Sequence, residues 1–241
     1  MDFKKSEWNG FERLDFCFEG RNCVVVLPKA KGSNLKWLLK TEYFGAFCQF
    51  ELDMLSKGYG LAFLQNETRW HTAADDDAKA RFCDFLKEKF GFAEKCLPVG
   101  MSCGGMHAVY FASKYPKRVA AIYLDAPVLN LLSCPCGVGH ATNEMYLEFC
   151  RDTGLTVSEL INYRNHPIDC VQKLIDCKIP LFLVCGDSDN IVPYCENGEI
   201  LAKLYEKTDV PFKKIIKPGC GHHPHGLDDT APLVRFFGDV Y

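Results

Sequence analysis

Apolar positions along the chain fall into short blocks whose period changes repeatedly. Between Phe11 and Phe18, Leu14, Phe16 and Phe18 alternate with Arg13, Asp15 and Cys17. A two-residue period is that of a strand with one buried face. After the turn Glu19-Gly20-Arg21-Asn22, the run Cys23-Val24-Val25-Val26-Leu27 is apolar throughout, as in a strand buried on both faces. Together they predict an antiparallel pair, with Pro28 to Asn34 as a loop. From Thr41 to Lys57, Tyr43, Phe47, Phe50 and Met54 recur at helical spacing, and Gly58 closes the run. A helix is expected there.

Leu61 to Leu64 then reads as a buried strand, followed by a polar loop over 65–74. Asp75-Asp76-Asp77 supplies a cap and an acidic first turn for a helix that buries Phe82, Leu86 and Phe90 and ends at Gly91. A short strand from Leu97 leads into a helix from Cys103 to about Tyr115. Further strands are expected over Val119 to Leu124, Ile179 to Val184 and Phe212 to Ile216, with helices near 196–207 and 230–237. Strands separated by helices imply a three-layer α/β fold, a mostly parallel sheet with helices on both faces. The stretch at about 128–167, with its Cys-Pro-Cys-Gly-Val-Gly run, breaks this rhythm. It is expected as a cap-like insert over the C-terminal edge of the sheet, where ligands bind in such folds. No repeat or low-complexity linker interrupts the 241 residues, so one domain over 1–241 is expected.

Composition narrows the partners. Charged residues make up 24% of the chain and the net charge is −3, which gives no basis for binding nucleic acid or an anionic membrane. The first residues carry no apolar leader, and no run reaches the ~18 apolar residues that span a bilayer. A cytoplasmic protein is therefore expected. Fourteen cysteines is a high count, but Cys17, Cys23, Cys96 and Cys185 fall in predicted strands or beside them, where a thiol packs as a small apolar group. No disulfide framework is expected. Cys134, Cys136 and His140 lack the spacing of a zinc site and read as a loop with free thiols.

Three blocks carry chemistry. The first is Gly100-Met101-Ser102-Cys103-Gly104, between a strand and a helix, which is the context of a nucleophile elbow. Glycines two before and two after the serine let the backbone double back, and the helix N-terminus favours negative charge beside Ser102. The second is Gly186-Asp187-Ser188-Asp189-Asn190-Ile191-Val192-Pro193, after a buried strand; either Asp187 or Asp189 could orient a histidine, or both could be turn residues. The third, Gly219-Cys220-Gly221-His222-His223-Pro224-His225, places three histidines within four positions. Adjacent His222 and His223 are expected to point apart, with Pro224 stiffening the run, so a general base is preferred to a metal site. Ser, Asp and His follow one another in the order found in one type of catalytic triad.

These blocks resemble the catalytic motifs of α/β-hydrolase superfamily serine hydrolases, over about Phe11 to Phe237. The Asp125-Ala126-Pro127 turn and the flanks of the Asp189 and His222 blocks resemble a largely uncharacterised bacterial branch that includes carbohydrate esterases of polysaccharide degradation. The resemblance implies Ser102 as nucleophile, His222 as base and Asp189 as its carboxylate partner. It implies an oxyanion hole built from the amide of Cys103 and an amide after Leu27, Lys29 or Ala30, where this chain lacks the common His-Gly pattern. It also implies hydrolysis of a carboxylic ester through an acyl-enzyme, with a small-molecule or saccharide ester as substrate and no cofactor or metal. Two alternatives stand beside it. One is a small serine peptidase of prolyl-oligopeptidase type, set back because 241 residues leave no room for the large extra domain of those enzymes. The other is a non-catalytic binding protein. Arg69 and Trp70 are candidate pocket residues, and Arg69, Lys29 and Lys31 are the cations to test against an acidic ester. The Cys103 thiol is not expected to react, and His107 reads as a packing residue.

Overall fold

A computed structural model describes residues 2–30, 32 and 34–241. Three antiparallel strands open the chain: β1 (Lys4–Trp8), β2 (Phe11–Phe18) and β3 (Arg21–Leu27). Six parallel strands follow: β4 (Trp37–Lys40), β5 (Gly60–Leu64), β6 (Leu97–Met101), β7 (Ile122–Asp125), β8 (Leu181–Gly186) and β9 (Phe212–Lys217). All nine form one sheet in the order β1-β2-β3-β5-β4-β6-β7-β8-β9. β3 joins the parallel part in antiparallel sense, with Cys23 opposite Leu64 and Val26 opposite Leu61. The helices are α1 (Gln49–Ser56), α2 (Ala73–Phe90), α3 (Cys103–Lys114), α4 (Tyr146–Thr153), α5 (Val157–Ile161), α6 (Val171–Asp176), α7 (Gly198–Tyr205) and α8 (Ala231–Val240). The three-layer α/β architecture expected from the alternating periods is the one observed.

Alternation along the strands decides which side chains meet which helix layer. One core, around Leu14, Phe16, Val25, Leu39 and Leu183, takes Phe82 and Leu86 of α2 and Leu201 of α7. On the opposite face Val26, Leu38, Val99, Tyr123 and Val184 meet Phe50 and Met54 of α1 and Phe237 of α8. A third cluster, built from Cys103, Met106, Tyr110, Trp70, Val128, Phe149 and Leu160, ties the 128–167 segment to α3. Burying one such aliphatic or aromatic side chain contributes about 1.5–3 kcal/mol. Among the described residues, no helix is long and apolar enough to cross a membrane.

Two strands carry no readable signal in sequence. β1 is a lysine-bearing edge strand exposed along most of its length, so it has no burial pattern. β4 is four residues long and ends in Lys40, which is 1% exposed and donates to Glu51 Oε1 of α1 at 2.6 Å. A buried lysine reads as a polar break. The helix expected over 41–57 exists only from Gln49, because Tyr43 and Phe47 have φ of 54° and 47°, outside the helical region. α2 is capped by Thr72 rather than by an aspartate. Its hydroxyl accepts from the Asp75 amide, and the Asp75 carboxylate accepts from the Thr72 amide.

Candidate active site

Parallel strands place their C-terminal ends along one edge of the sheet, and the site is built there. β6 ends at Met101, and Ser102 follows with φ 52° and ψ −121° before α3 begins. A non-glycine residue in this conformation is strained and is held by its surroundings. The Ser102 amide donates to Asp125 O at 2.9 Å, and its carbonyl accepts from the amides of Gly105 and Val128. Close approach explains the glycines. A Cβ on Gly100 would lie 2.5 Å from Gly104 O, and one on Gly105 would lie 2.3 Å from Pro127 Cβ. Gly105, outside the five-residue motif, is as constrained as the motif glycines.

His222 lies in the loop after β9 and Asp189 in the loop after β8. Ser102 Oγ is 3.0 Å from His222 Nε2, and His222 Nδ1 is 2.8 Å from Asp189 Oδ2. The fold thus brings the three residues into one hydrogen-bonded line. Asp189 Oδ1 accepts from the amides of Ile191 and Val192, each at 2.8 Å. Burial acts to raise the Asp189 pKa, but the His222 hydrogen bond and charge and these two amides outweigh it and hold the carboxyl below its ordinary value. Asp187 serves the loop instead. Its Oδ1 accepts from Gly219 N at 2.7 Å, clamping the turn that carries His222.

The oxyanion side departs from expectation. Lys29 and Ala30 lie in a surface hollow with Phe11, Leu55 and Gly58, away from Ser102. Because β3 is antiparallel to β5, its C-terminal end is at the opposite edge of the sheet from the serine. The loop that does follow a parallel strand next to β6 is the one after β4, and it carries Glu42 and Tyr43. Thr41 Oγ1 donates to Gly104 O at 2.7 Å, fixing this loop to the first turn of α3. Tyr43 lines the cavity with Ser102, and its phenol lies beside the Cys103 thiol. Burial raises the phenol's pKa well above its usual range, so it stays protonated and able to donate. Cys103 is the first residue of α3, where an amide has no acceptor within the helix. Burial pushes its thiol up to about 11.

Ser102 opens into a cavity of about 310 Å³, whose lining includes Tyr43, Phe47, Arg69, Glu144, His222 and His225. Arg69 reaches the cavity but is committed to Glu148 of α4 by two hydrogen bonds. Trp70 is not part of the lining. It is fully buried, donates to Glu148 Oε1 at 3.1 Å and packs edge-on against Phe149. Lys31 lies outside the described residues. His107 is buried on α3 with Nε2 on Arg69 O at 3.1 Å, and burial lowers its pKa well below the usual value.

A second histidine–carboxylate pair sits beside the first. His225 Nδ1 is 2.6 Å from Asp125 Oδ1, while Asp125 Oδ2 accepts from Gly226 N and Tyr123 Oη. The rings of His222, His223 and His225 converge, with centroids 4.8–5.0 Å apart, contrary to the expectation that neighbouring histidines point apart. Asp125, at the end of β7, is a site residue that the sequence motifs do not single out as functional. Its position at a strand's C-terminal end was the available signal.

A three-layer α/β fold with a serine at a strained strand-to-helix turn defines a serine hydrolase of the α/β-hydrolase superfamily. The family model described as the prolyl oligopeptidase family matches residues 52–240, and the chain belongs to that family. Solved structures with the same fold include a puromycin-hydrolyzing peptidase of Mycobacterium tuberculosis (14% identity, TM-score 0.71, 91% of this chain and 37% of that one). Others are the acylaminoacyl peptidase of Pyrococcus horikoshii (15%, 0.68, 88% and 38%) and dipeptidyl peptidase 4 of Porphyromonas gingivalis (14%, 0.68, 98% and 36%). The chain spans little more than a third of the length of these proteins. Family membership moves the preference from an ester hydrolase to the peptidase alternative, which sequence motifs alone place second.

Proposed function

We propose that the chain is a serine peptidase that cleaves short peptide or aminoacyl amides through a covalent acyl-enzyme. The observation that carries the chemistry is the line Asp189–His222–Ser102, with links of 2.8 and 3.0 Å. His222 Nε2 takes the Ser102 proton as Oγ attacks the scissile carbonyl, and Asp189 holds the imidazole tautomer and stabilises its charged form. The proton then passes from His222 to the leaving amine. Water, deprotonated by the same imidazole, releases the acyl group. The tetrahedral oxyanion is held by the Cys103 amide and by the Tyr43 phenol. Family membership and the three peptidase neighbours support amide substrates. The carboxylate of Glu144 on the cavity wall supports a substrate with a free amino group.

Carboxylic ester hydrolysis is the second reading. The same serine chemistry serves it, and a 310 Å³ cavity suits a small acyl group. We also place the chain in the cytoplasm, a reading supported by fourteen unpaired cysteines. The deciding experiment compares aminoacyl anilides with short-chain aryl esters and uronic acid methyl esters. Peptidase activity predicts turnover of the anilides, faster with a free amino terminus than with an acetylated one. Turnover of esters alone would reverse the assignment.

A further inference from the structure

The three histidines have one feature that proton transfer does not use. His222 and His225 are each 8% exposed, and each has Nδ1 on a buried carboxylate, Asp189 and Asp125 respectively. Both rings line the cavity, with Nε2 as the nitrogen not taken by a carboxylate. One Nε2 meets Ser102, whereas that of His225 has no hydrogen-bond partner among the described residues. Exposed His223 stands beside them, and one nitrogen from each ring lies within 4.8 Å of the others.

A carboxylate on Nδ1 and a free Nε2 is the arrangement that fixes the tautomer of zinc-binding histidines and raises their basicity. His225 already has it, and His222 has the carboxylate but holds Ser102 Oγ on Nε2, a hydrogen bond that the metal would displace. The buried carboxylates also supply two negative charges behind the rings, matching a dication. With metal–nitrogen bonds of about 2.1 Å, tetrahedral ligand atoms stand about 3.4 Å apart. The present spacing reaches this by small ring movements, of which the exposed His223 has most freedom. Phe47, stacked on His223 at 5.7 Å and edge-on to His225 at 5.3 Å, forms an apolar wall beside the cluster.

We propose that His222, His223 and His225 form a reversible site for an imidazole-preferring divalent metal ion of the zinc class, and that occupancy switches the active site off. Binding needs no chemical step beyond coordination by three neutral nitrogens, with water or a substrate group as the remaining ligand. His222 Nε2 cannot accept the Ser102 proton while its lone pair is on the metal. The ion is therefore an inhibitor. That inhibitory role rests on the serine-hydrolase reading above; the binding itself does not.

The test is calorimetric titration of Ser102→Ala protein with Zn²⁺, with Mg²⁺ as control, together with the visible spectrum of Co²⁺. This variant keeps every proposed ligand and needs no activity. One Zn²⁺ per chain is expected, no Mg²⁺ binding, and a tetrahedral cobalt band without sulfur-to-cobalt charge transfer. Adding His223→Ala or His225→Ala is expected to weaken Zn²⁺ binding by roughly tenfold or more, and Asp125→Asn by about 10–100-fold. His223 is exposed, so its removal leaves both buried pairs in place even if the other variants fold poorly. In active protein, Zn²⁺ is expected to block fluorophosphonate labelling of Ser102, and chelation to restore it. Absence of stoichiometric binding would overturn the proposal. Binding unchanged by the histidine substitutions, or cobalt spectra of thiolate type, would also overturn it and assign the metal to the cysteines. Protein that binds Zn²⁺ through these histidines but never labels would keep the site and discard the hydrolase mechanism.

Discussion

Two histidine–aspartate pairs stand side by side in this molecule, and only one meets a nucleophile. Both aspartates lie at or just after the C-terminal end of a strand, both are buried, and each accepts from an imidazole Nδ1 and from a backbone amide. The difference lies on the other ring nitrogen. His222 Nε2 meets the hydroxyl of Ser102, whereas Nε2 of His225, a residue of the cavity lining, has no hydrogen-bond partner among the described residues. A histidine–carboxylate pair is thus a general device for fixing a tautomer. The roles proposed for the two pairs differ with the group on the other nitrogen: proton transfer at His222, and metal capture at His225.

The sharpest way to break this comparison is to remove each histidine in turn. His222→Ala is expected to lower kcat on the order of 10⁶-fold. His225→Ala is expected to change kcat/KM by about tenfold or less, read from steady-state kinetics on an anilide or ester. Comparable losses would mean that the pairs had been given the wrong roles. The aspartates come next. Asp189→Asn should cost about 10⁴-fold in kcat by disturbing the tautomer of His222. Asp125→Asn should appear mainly as about 1–3 kcal/mol of lost stability in urea unfolding, because it weakens a buried, three-donor carboxylate. Tyr43→Phe removes the proposed oxyanion donor while keeping the ring, and a fall of about 10²–10³ in kcat is expected. Unchanged kcat would leave Cys103 with another partner.

A smaller effect appears in pH dependence. Asp189 is held below its ordinary pKa, so ionisation favours the folded state. Its contribution is fully present above the unfolded value of about 3.9 and is lost as pH falls through the lower folded value. The stability difference between wild type and Asp189→Asn should therefore narrow below about pH 4. A difference independent of pH would remove the charge-based account of that carboxylate.

Ser102 could be singled out in sequence because its motif lies between an apolar strand and a helix, whereas the choice of Asp189 over Asp187 and of His222 among three histidines rests on the family resemblance. Local pattern failed where position depends on the whole sheet. The loop carrying Lys29 and Ala30 follows a clear strand, but one running against its neighbour, so its loop lies at the wrong edge. Tyr43 stayed hidden because the strand before it is four residues long and ends in a buried, paired lysine. Its loop also imitates a helix in apolar spacing while using left-handed backbone. Trp70 follows a strand's C-terminal end, as a pocket residue would, yet turns inward to anchor Glu148 and Phe149 of the segment above. Convergence of the three histidines depends on the path of one loop, which periodicity does not encode.

The central claim is that His222, held by Asp189, activates Ser102. The most direct measurement is fluorophosphonate labelling of wild type, Ser102→Ala, His222→Ala and His225→Ala, with the labelled residue located by mass spectrometry. The account predicts labelling at Ser102 in wild type and in His225→Ala, and none in the other two. Labelling at another residue, or full labelling of His222→Ala, would contradict it.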